Sequence, residues 1–324
     1  ETLHTVGGQF PDWHPSHYLD VGEMALGVAI AYDWLYYDLD YDTRVMVRKA
    51  LSDYAIDTAL HHSSGQNATL KTRNNWNSVC NGGLVAAAIA AYPQDKARCA
   101  QVIENALTSN AAAVEAMYAP DGNYGEGYGY WEYGTSYQVC LLRMLDKAFG
   151  HDNGISGIEG FLKTGDFMLF MGTPCGGNFS FADGGSASES MQTPMWWFAA
   201  KTGNSALLAN EIRLLDKGRY TADRLLPIIP GIIMDFSFDP SHLAFPSSNL
   251  WYGLGLVPVA MIHTGWKYDA TDRYAALKGG AASANHGHMD AGSFVYESQG
   301  VRWSDDLKRP DYAGIENLTA AAGG

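Results

Sequence analysis

The stretch 285-NHGHMDAGSFVYESQGVRWSDD-306 decides how the rest of the chain is read. It opens with His286 and His288 two residues apart, so an extended backbone sets both imidazoles on one side. It continues as two short segments, GSFVYES and VRWSD, rich in aromatic and β-branched residues and separated by Gln299-Gly300. That texture predicts two paired strands. Adjacent imidazoles serve metal ligation, or one holds a metal while the other works on a substrate. A lone histidine is more often structural, but an alternating H-x-H-x-D is moderately specific.

Working back from this stretch, 257-VPVAMIHTGW-266 and 272-DRYAALKG-279 share its β texture. Residues 256–324 therefore read as a β region with too few strands for a sandwich, and 320-AAAGG-324 reads as a tail. Residues 1–255 read as helical. Apolar residues recur at helical spacing in 23-EMALGVAIAYDWLYYDL-39, with Asp20 available as a cap, and in 43-TRVMVRKALSDYAIDTAL-60. A polar loop, 61–77, precedes a small-residue helix, 79-VCNGGLVAAAIAAY-92, which Pro93 stops. Further helices are expected at 95–117, 132–149, 156–170, 188–202 and 205–216. Helix pairs alternating with Gly-, Asn- and Tyr-rich loops predict a complete or incomplete ring of helical hairpins, in which Ala and Gly let helices approach closely. No fixed-period repeat supports a strict solenoid.

Composition narrows the function classes. Hydrophobic residues make up 47% and charged residues 17%, enough to bury a sizeable core and too apolar for disorder. A net charge of −14 argues against nucleic acid, whose binders carry basic patches. The same charge repels polyanions at long range, so an anionic substrate requires cations gathered in a cleft. No apolar run reaches the ~20 residues of a membrane span. The first residues show no basic or apolar leader, so any signal peptide is expected to be already removed. Cys80, Cys99, Cys140 and Cys175 are widely spaced, without a CxxC pair, and read mainly as buried free thiols. Oligomeric state is not legible.

Two more polar clusters stand out. In 73-RNNWNSVCNGG-83, Asn74, Asn75, Asn77 and Asn81 crowd a helix entrance. Capping explains some of them, and hydrogen bonding to a substrate carboxylate explains the surplus. In 120-PDGNYGEGYGYWEYGTSY-137, tyrosines and two glutamates sit in a Gly-rich loop. Such rings either stack on sugars or fill the core. No G-x-S-x-G elbow, Walker loop or H-E-x-x-H is present.

Taken in order, these clusters resemble the heparinase II/III superfamily of polysaccharide lyases. KGG…NHGHMDAGSFV…GVRW…DD resembles the start of the family's sandwich domain; DVGEMALGVAIAYDWLY, NNWNSVCNGG and YWEYGTSY resemble its toroid. The resemblance spans residues 18–312. It implies a mainly α fold, an incomplete (α/α) toroid over 1–255 followed by the start of an antiparallel β-sandwich over 256–324. It also implies β-elimination at a uronic acid, which needs a neutralised carboxylate, a base for the C5 proton and an acid for the departing oxygen.

Carried over by motif, the catalytic tyrosine falls on Tyr133, with Tyr130 as runner-up, and the carboxylate neutraliser on Asn77, with Asn75 close behind. Where some relatives carry Asn-His, this chain has Trp76, which leaves the base open between Tyr133 and His286. Arg73, Trp76, Tyr124, Glu126 and Tyr130 are the expected substrate contacts, while Arg302 reads as a strand residue facing solvent or Asp305. His288 and Asp306 resemble ligands of a structural zinc, whose third ligand, a histidine, is expected beyond residue 324. Relatives continue D-x-G, whereas this chain reads Asp306-Leu307-Lys308. The implied partner is an acidic polysaccharide, and the implied location is secreted or periplasmic in a bacterium. Two other readings stay open. One is a glycoside hydrolase on an (α/α) barrel, for which Glu126 and Glu132 are the only close carboxylate pair. The other is a non-catalytic sugar-binding homologue.

Overall fold

Gly22 and Gly83 show how the helical layers meet. They lie on α1 (Leu19–Trp34) and on the fourth helix, α4 (Asn75–Ala91). A Cβ added to Gly83 would sit 2.0 Å from the Gly22 carbonyl oxygen, and one added to Gly22 would sit 2.9 Å from Cys80 Cα. No side chain larger than hydrogen fits, so the two backbones touch. The computed structural model describes residues 12–61, 70–184, 188–218, 244–281 and 283–306. The first residues, 1–11, and the segment read as a tail, 320–324, lie outside them.

Between those helices, α2 (Tyr41–Ala50) is capped by Asp40, whose carboxylate accepts from Thr43 N at 2.7 Å. It runs through a π-helical stretch, Leu51–Ile56, into α3 (Asp57–His61), so the single helix expected at 43–60 is continuous but locally underwound. Helix α4 begins at Asn75 rather than 79, because Asn74 caps it by accepting from Trp76 N at 3.1 Å. Helix α5 (Lys96–Tyr118) is capped by Asp95, and α6 (Tyr128–Phe149) ends at Gly150 in the left-handed conformation. The helix expected at 156–170 is instead two 3₁₀ turns, Ile155–Gly157 and Phe161–Lys163, leading into α7 (Thr164–Met171). Gly157 and Gly160 interrupt it. That expected at 188–202 starts only at α8 (Thr193–Thr202), with Pro194 in its first turn, and α9 (Ala209–Asp216) follows.

Five strands form one antiparallel meander in chain order: β1 (Leu250–Gly253), β2 (Val259–His263), β3 (Tyr274–Lys278), β4 (Phe294–Ser298) and β5 (Val301–Ser304). Strand β1 lies within the range read as helical. On the sheet's inner face Val259, Met261, Tyr274, Ala276 and Val295 share one core with Phe167 and Phe170 of α7 and with Phe181. The other face exposes Tyr252, Ile262, Leu277, Phe294 and Trp303. Among the described residues no second sheet covers that face. A separate core joins α1, the α2–α3 segment, α4 and parts of α5 and α6.

The thiols of Cys80, Cys99 and Cys140 are buried and free, as expected, while Cys175 is exposed and free. No described helix is long and apolar enough to cross a membrane.

Candidate functional site

Loops from the helical and sheet halves converge on the N-terminal ends of α4 and α6. Gly127 and Gly129 make room for the first of them, residues 181–184. A Cβ on Gly127 would lie 2.5 Å from Phe181 O, and one on Gly129 would lie 2.7 Å from Gly184 O. Gly129 N donates to Gly184 O at 3.1 Å instead. This places Asp183 beside the loop between β3 and β4, and Asp183 N donates to His286 O at 3.2 Å. Ala182 and His286 both adopt positive φ, 57° and 58°, a strain of the kind that collects at working sites.

Asp183 links the two histidines. One carboxylate oxygen lies 2.9 Å from His286 Nδ1 and the other 2.9 Å from His288 Nε2. The segment is a loop rather than an extended strand, yet both imidazoles still reach one side, because the same carboxylate holds them. Tyr130, in the first turn of α6, stacks on His286 with ring centroids 3.6 Å apart and planes 13° from parallel.

Glu126 ties this loop to the helices. Its buried carboxylate accepts from Asn75 N at 3.0 Å, Asn75 Nδ2 at 3.2 Å, Tyr124 Oη at 2.8 Å and Asn285 Nδ2. A carboxylate so saturated is a brace. Glu132 belongs to another network, accepting from Ser190 Oγ and Gln192 Nε2.

Other expected site residues go elsewhere. Asn77, expected to meet a substrate carboxylate, is fully buried. Its Nδ2 donates to Leu70 O at 3.1 Å, Thr72 O at 2.8 Å and Ser109 Oγ at 3.1 Å, and its Oδ1 accepts from Asn81 and Asn110. The amide is spent on the scaffold. Asn75 is buried too, with its Nδ2 on Glu126. Tyr124 is only 1% exposed, so it offers no sugar platform, and burial beside Glu126 holds its phenol well above the usual range. Tyr128 and Tyr137 are buried as well, leaving Tyr130 and Tyr133 as the part-exposed rings of this loop.

Tyr133 Oη donates to Glu23 Oε1 at 2.5 Å, toward α1 rather than toward His286. Trp76 meets the edge of His17 at 5.0 Å. Arg73 lines a cavity with Lys71, Asn81 and Ser109. Arg302 turns inward, binding Glu297 at 2.8 Å as well as Asp305 at 3.1 Å.

His288, Asp290 and Asp306 bring one ligand atom each to within 4.8 Å of one another. Asp290 is the third member of this group, beside the two residues named from the sequence. Lys278 Nζ holds one oxygen of Asp290, while Asp290 Oδ2 and Asp306 Oδ2 are buried without a hydrogen-bond partner. Burial, and then the Asp290 charge, push the Asp306 carboxyl up. Two crowded carboxylates and an imidazole fit a divalent cation such as zinc.

Sequence reasoning missed Asp183, Glu23 and the place of Asp290 beside His288 and Asp306. Asp290 sits in the H-x-H-x-D alternation and was findable. Asp183, in 181-FADGG-185, looks like an ordinary turn aspartate.

Comparison with known proteins places the fold. No family model and no curated protein matches the chain. Solved structures do. It is similar to a heparinase III structure with TM-score 0.56 and 14% identity, over 95% of this chain and 43% of that one. It is also similar to another heparinase III, with TM-score 0.54, 11% identity and coverage of 94% and 45%. A mutant heparan sulfate lyase from Pedobacter heparinus gives 0.50, 13%, 95% and 43%. The chain spans under half the length of these structures, and at such identity the likeness shows a lyase-like fold and nothing finer.

Proposed function

We propose that this chain carries the catalytic constellation of a polysaccharide lyase acting on a uronate polymer of the heparan sulfate kind. One observation carries the reading. Tyr130 lies flat on an imidazole whose Nδ1 is held by a carboxylate, at one mouth of a heparinase III-like fold. A carboxylate on Nδ1 fixes the tautomer, and Nε2 is the nitrogen assigned to exchange a proton.

In this reading His286 Nε2 takes the C5 proton. The electron pair of that C–H bond forms the C4–C5 double bond, and the C4–O bond breaks with its pair on oxygen. The Tyr130 phenol then supplies that oxygen with a proton, the general-acid role a hydroxyl can fill. The N-terminal ends of α4 and α6 converge here, and their dipoles favour the substrate carboxylate. Asn75 stays in the site as a positioning residue; Asn77 does not. Tyr130 takes precedence over Tyr133 because of its place on His286.

His288, Asp290 and Asp306 would hold a structural zinc, which, when bound, neutralises the two carboxylates and pins the 285–290 loop to the end of β5. Asp183 would orient His286 and His288 together. A polymeric substrate places the enzyme outside the cytoplasm, secreted or periplasmic.

Ultraviolet absorbance of the unsaturated uronate tests the reading on a panel of heparan sulfate, hyaluronan, chondroitin and alginate. Tyr130→Phe should lower the rate by about 10² to 10⁴-fold, while Tyr133→Phe keeps most of it. Near-full activity in Tyr130→Phe removes the tyrosine assignment. A flat trace for the unaltered chain on every polymer removes the lyase reading.

A further inference from the structure

Away from the loop cluster, at the start of α1, stands a second group of ligand atoms. His14, His17 and Asp20 occur in 13-WHPSHYLD-20, at successive steps of three residues, so one turn of 3₁₀ helix and the first turn of α1 bring them to one side. Their ligand atoms all lie within 4.8 Å of one another. His14 Nδ1 is 2.6 Å from one Asp20 oxygen, and His17 Nδ1 is 3.5 Å from the other. The two imidazole rings lie 6.0 Å apart and only 29° from parallel.

The backbone goes out of its way to make this arrangement. His14 adopts φ 54° and ψ 58°, the left-handed region, immediately before Pro15. A non-glycine residue is strained there. That conformation turns the His14 ring back over Asp20. All three side chains remain about half exposed.

We propose that His14, His17 and Asp20 form a binding site for a borderline divalent cation, zinc or a neighbouring transition metal. Two imidazoles and one carboxylate select such an ion over calcium or magnesium, which prefer all-oxygen shells. Three protein ligands on an exposed rim leave a coordination position to water. The His17 ring also packs T-shaped on Trp76, so the ion adds positive charge beside that ring in a chain of net charge −14. The proposal is independent of the lyase reading and of the site at His288.

The test uses the chelator-stripped chain and Zn²⁺ in competition with a chromophoric chelator. In a His288→Ala background, which removes the other site, Zn²⁺ should bind with 1:1 stoichiometry. Adding His14→Asn, a residue that tolerates the left-handed backbone, and His17→Gln should weaken binding by about tenfold or more. Excess Ca²⁺ should not compete. If His288→Ala fails to fold, electron paramagnetic resonance of Cu²⁺ on the otherwise unaltered chain reads the same question. Hyperfine structure from two nitrogens should be present, and lost in the His14→Asn, His17→Gln variant. Unchanged Zn²⁺ affinity or an unchanged Cu²⁺ spectrum in that variant overturns the proposal.

Discussion

The asparagine segment 73–83 and the histidine segment 285–290 look alike in sequence, since each packs more polar groups than its local structure needs. In the folded chain they part company. Asn74 caps α4, Asn77 and Asn81 bind backbone carbonyls around Leu70, and Asn75 is braced by Glu126. The amides are consumed inside the protein. His286 and His288 are held by one distant carboxylate and keep part of their rings exposed. A surplus of polar side chains marks a site only when the fold leaves some of their surface open; otherwise it marks a buried network.

His286→Ala is the sharpest way to break this contrast. Elimination should fall by about 10² to 10⁴-fold with little change in melting temperature. A large melting shift with activity retained would make the histidine segment scaffold too. Asn77→Ala should do the reverse, lowering stability by about 3 kcal/mol in chemical denaturation, because it strands several buried partners at once. Activity per folded molecule should hold. Asp183→Asn comes next, with a loss of about 10 to 100-fold in rate and in metal retention together, because one carboxylate serves both imidazoles. If only one of the two falls, Asp183 orients only one ring.

The last test concerns a histidine of a third kind, whose effect shows only in acid. His263 is buried against Trp266, at 4.2 Å and 19°, and edged by Phe170 and Tyr274. Burial lowers its pKa to about 4. Its folded pKa lies below the unfolded value, so the unfolded chain binds the extra proton. The neutral ring's contribution is complete above pH ~6.5 and is lost as pH falls toward 4, at most by roughly 3 kcal/mol. His263→Phe should flatten that acid limb of the denaturation profile, and an unchanged slope would sink the assignment.

Much of the helical half was legible, because Gly22, Gly83 and the alanines of α4 declare close packing, and the β4–β5 pair was legible from its alternation. What the sequence hid has physical causes. Strand β1 is four residues, Leu-Trp-Tyr-Gly, too short for a period. Helices α4 and α6 start about one turn early because Asn74 and Gly127 set the entry and not the first apolar residue. Tyr130 lies on His286 while Tyr133 bonds Glu23, a difference of facing that one turn of helix decides and no motif prints. Asp183 reaches His286 across 103 residues of chain, and nothing local announces a contact of that range.

Glu126 makes one more point. It joins Asn75 at the mouth of α4 to Asn285 in the sheet half, which lies 159 residues from Glu126 itself. The constellation therefore does not exist in any contiguous piece of the chain. A folding intermediate with every helix in place and the meander undocked has Tyr130 but no His286 against it. Under the proposed lyase reading turnover is a late reporter, switched on by the final docking event, and its appearance during refolding should trail helix formation.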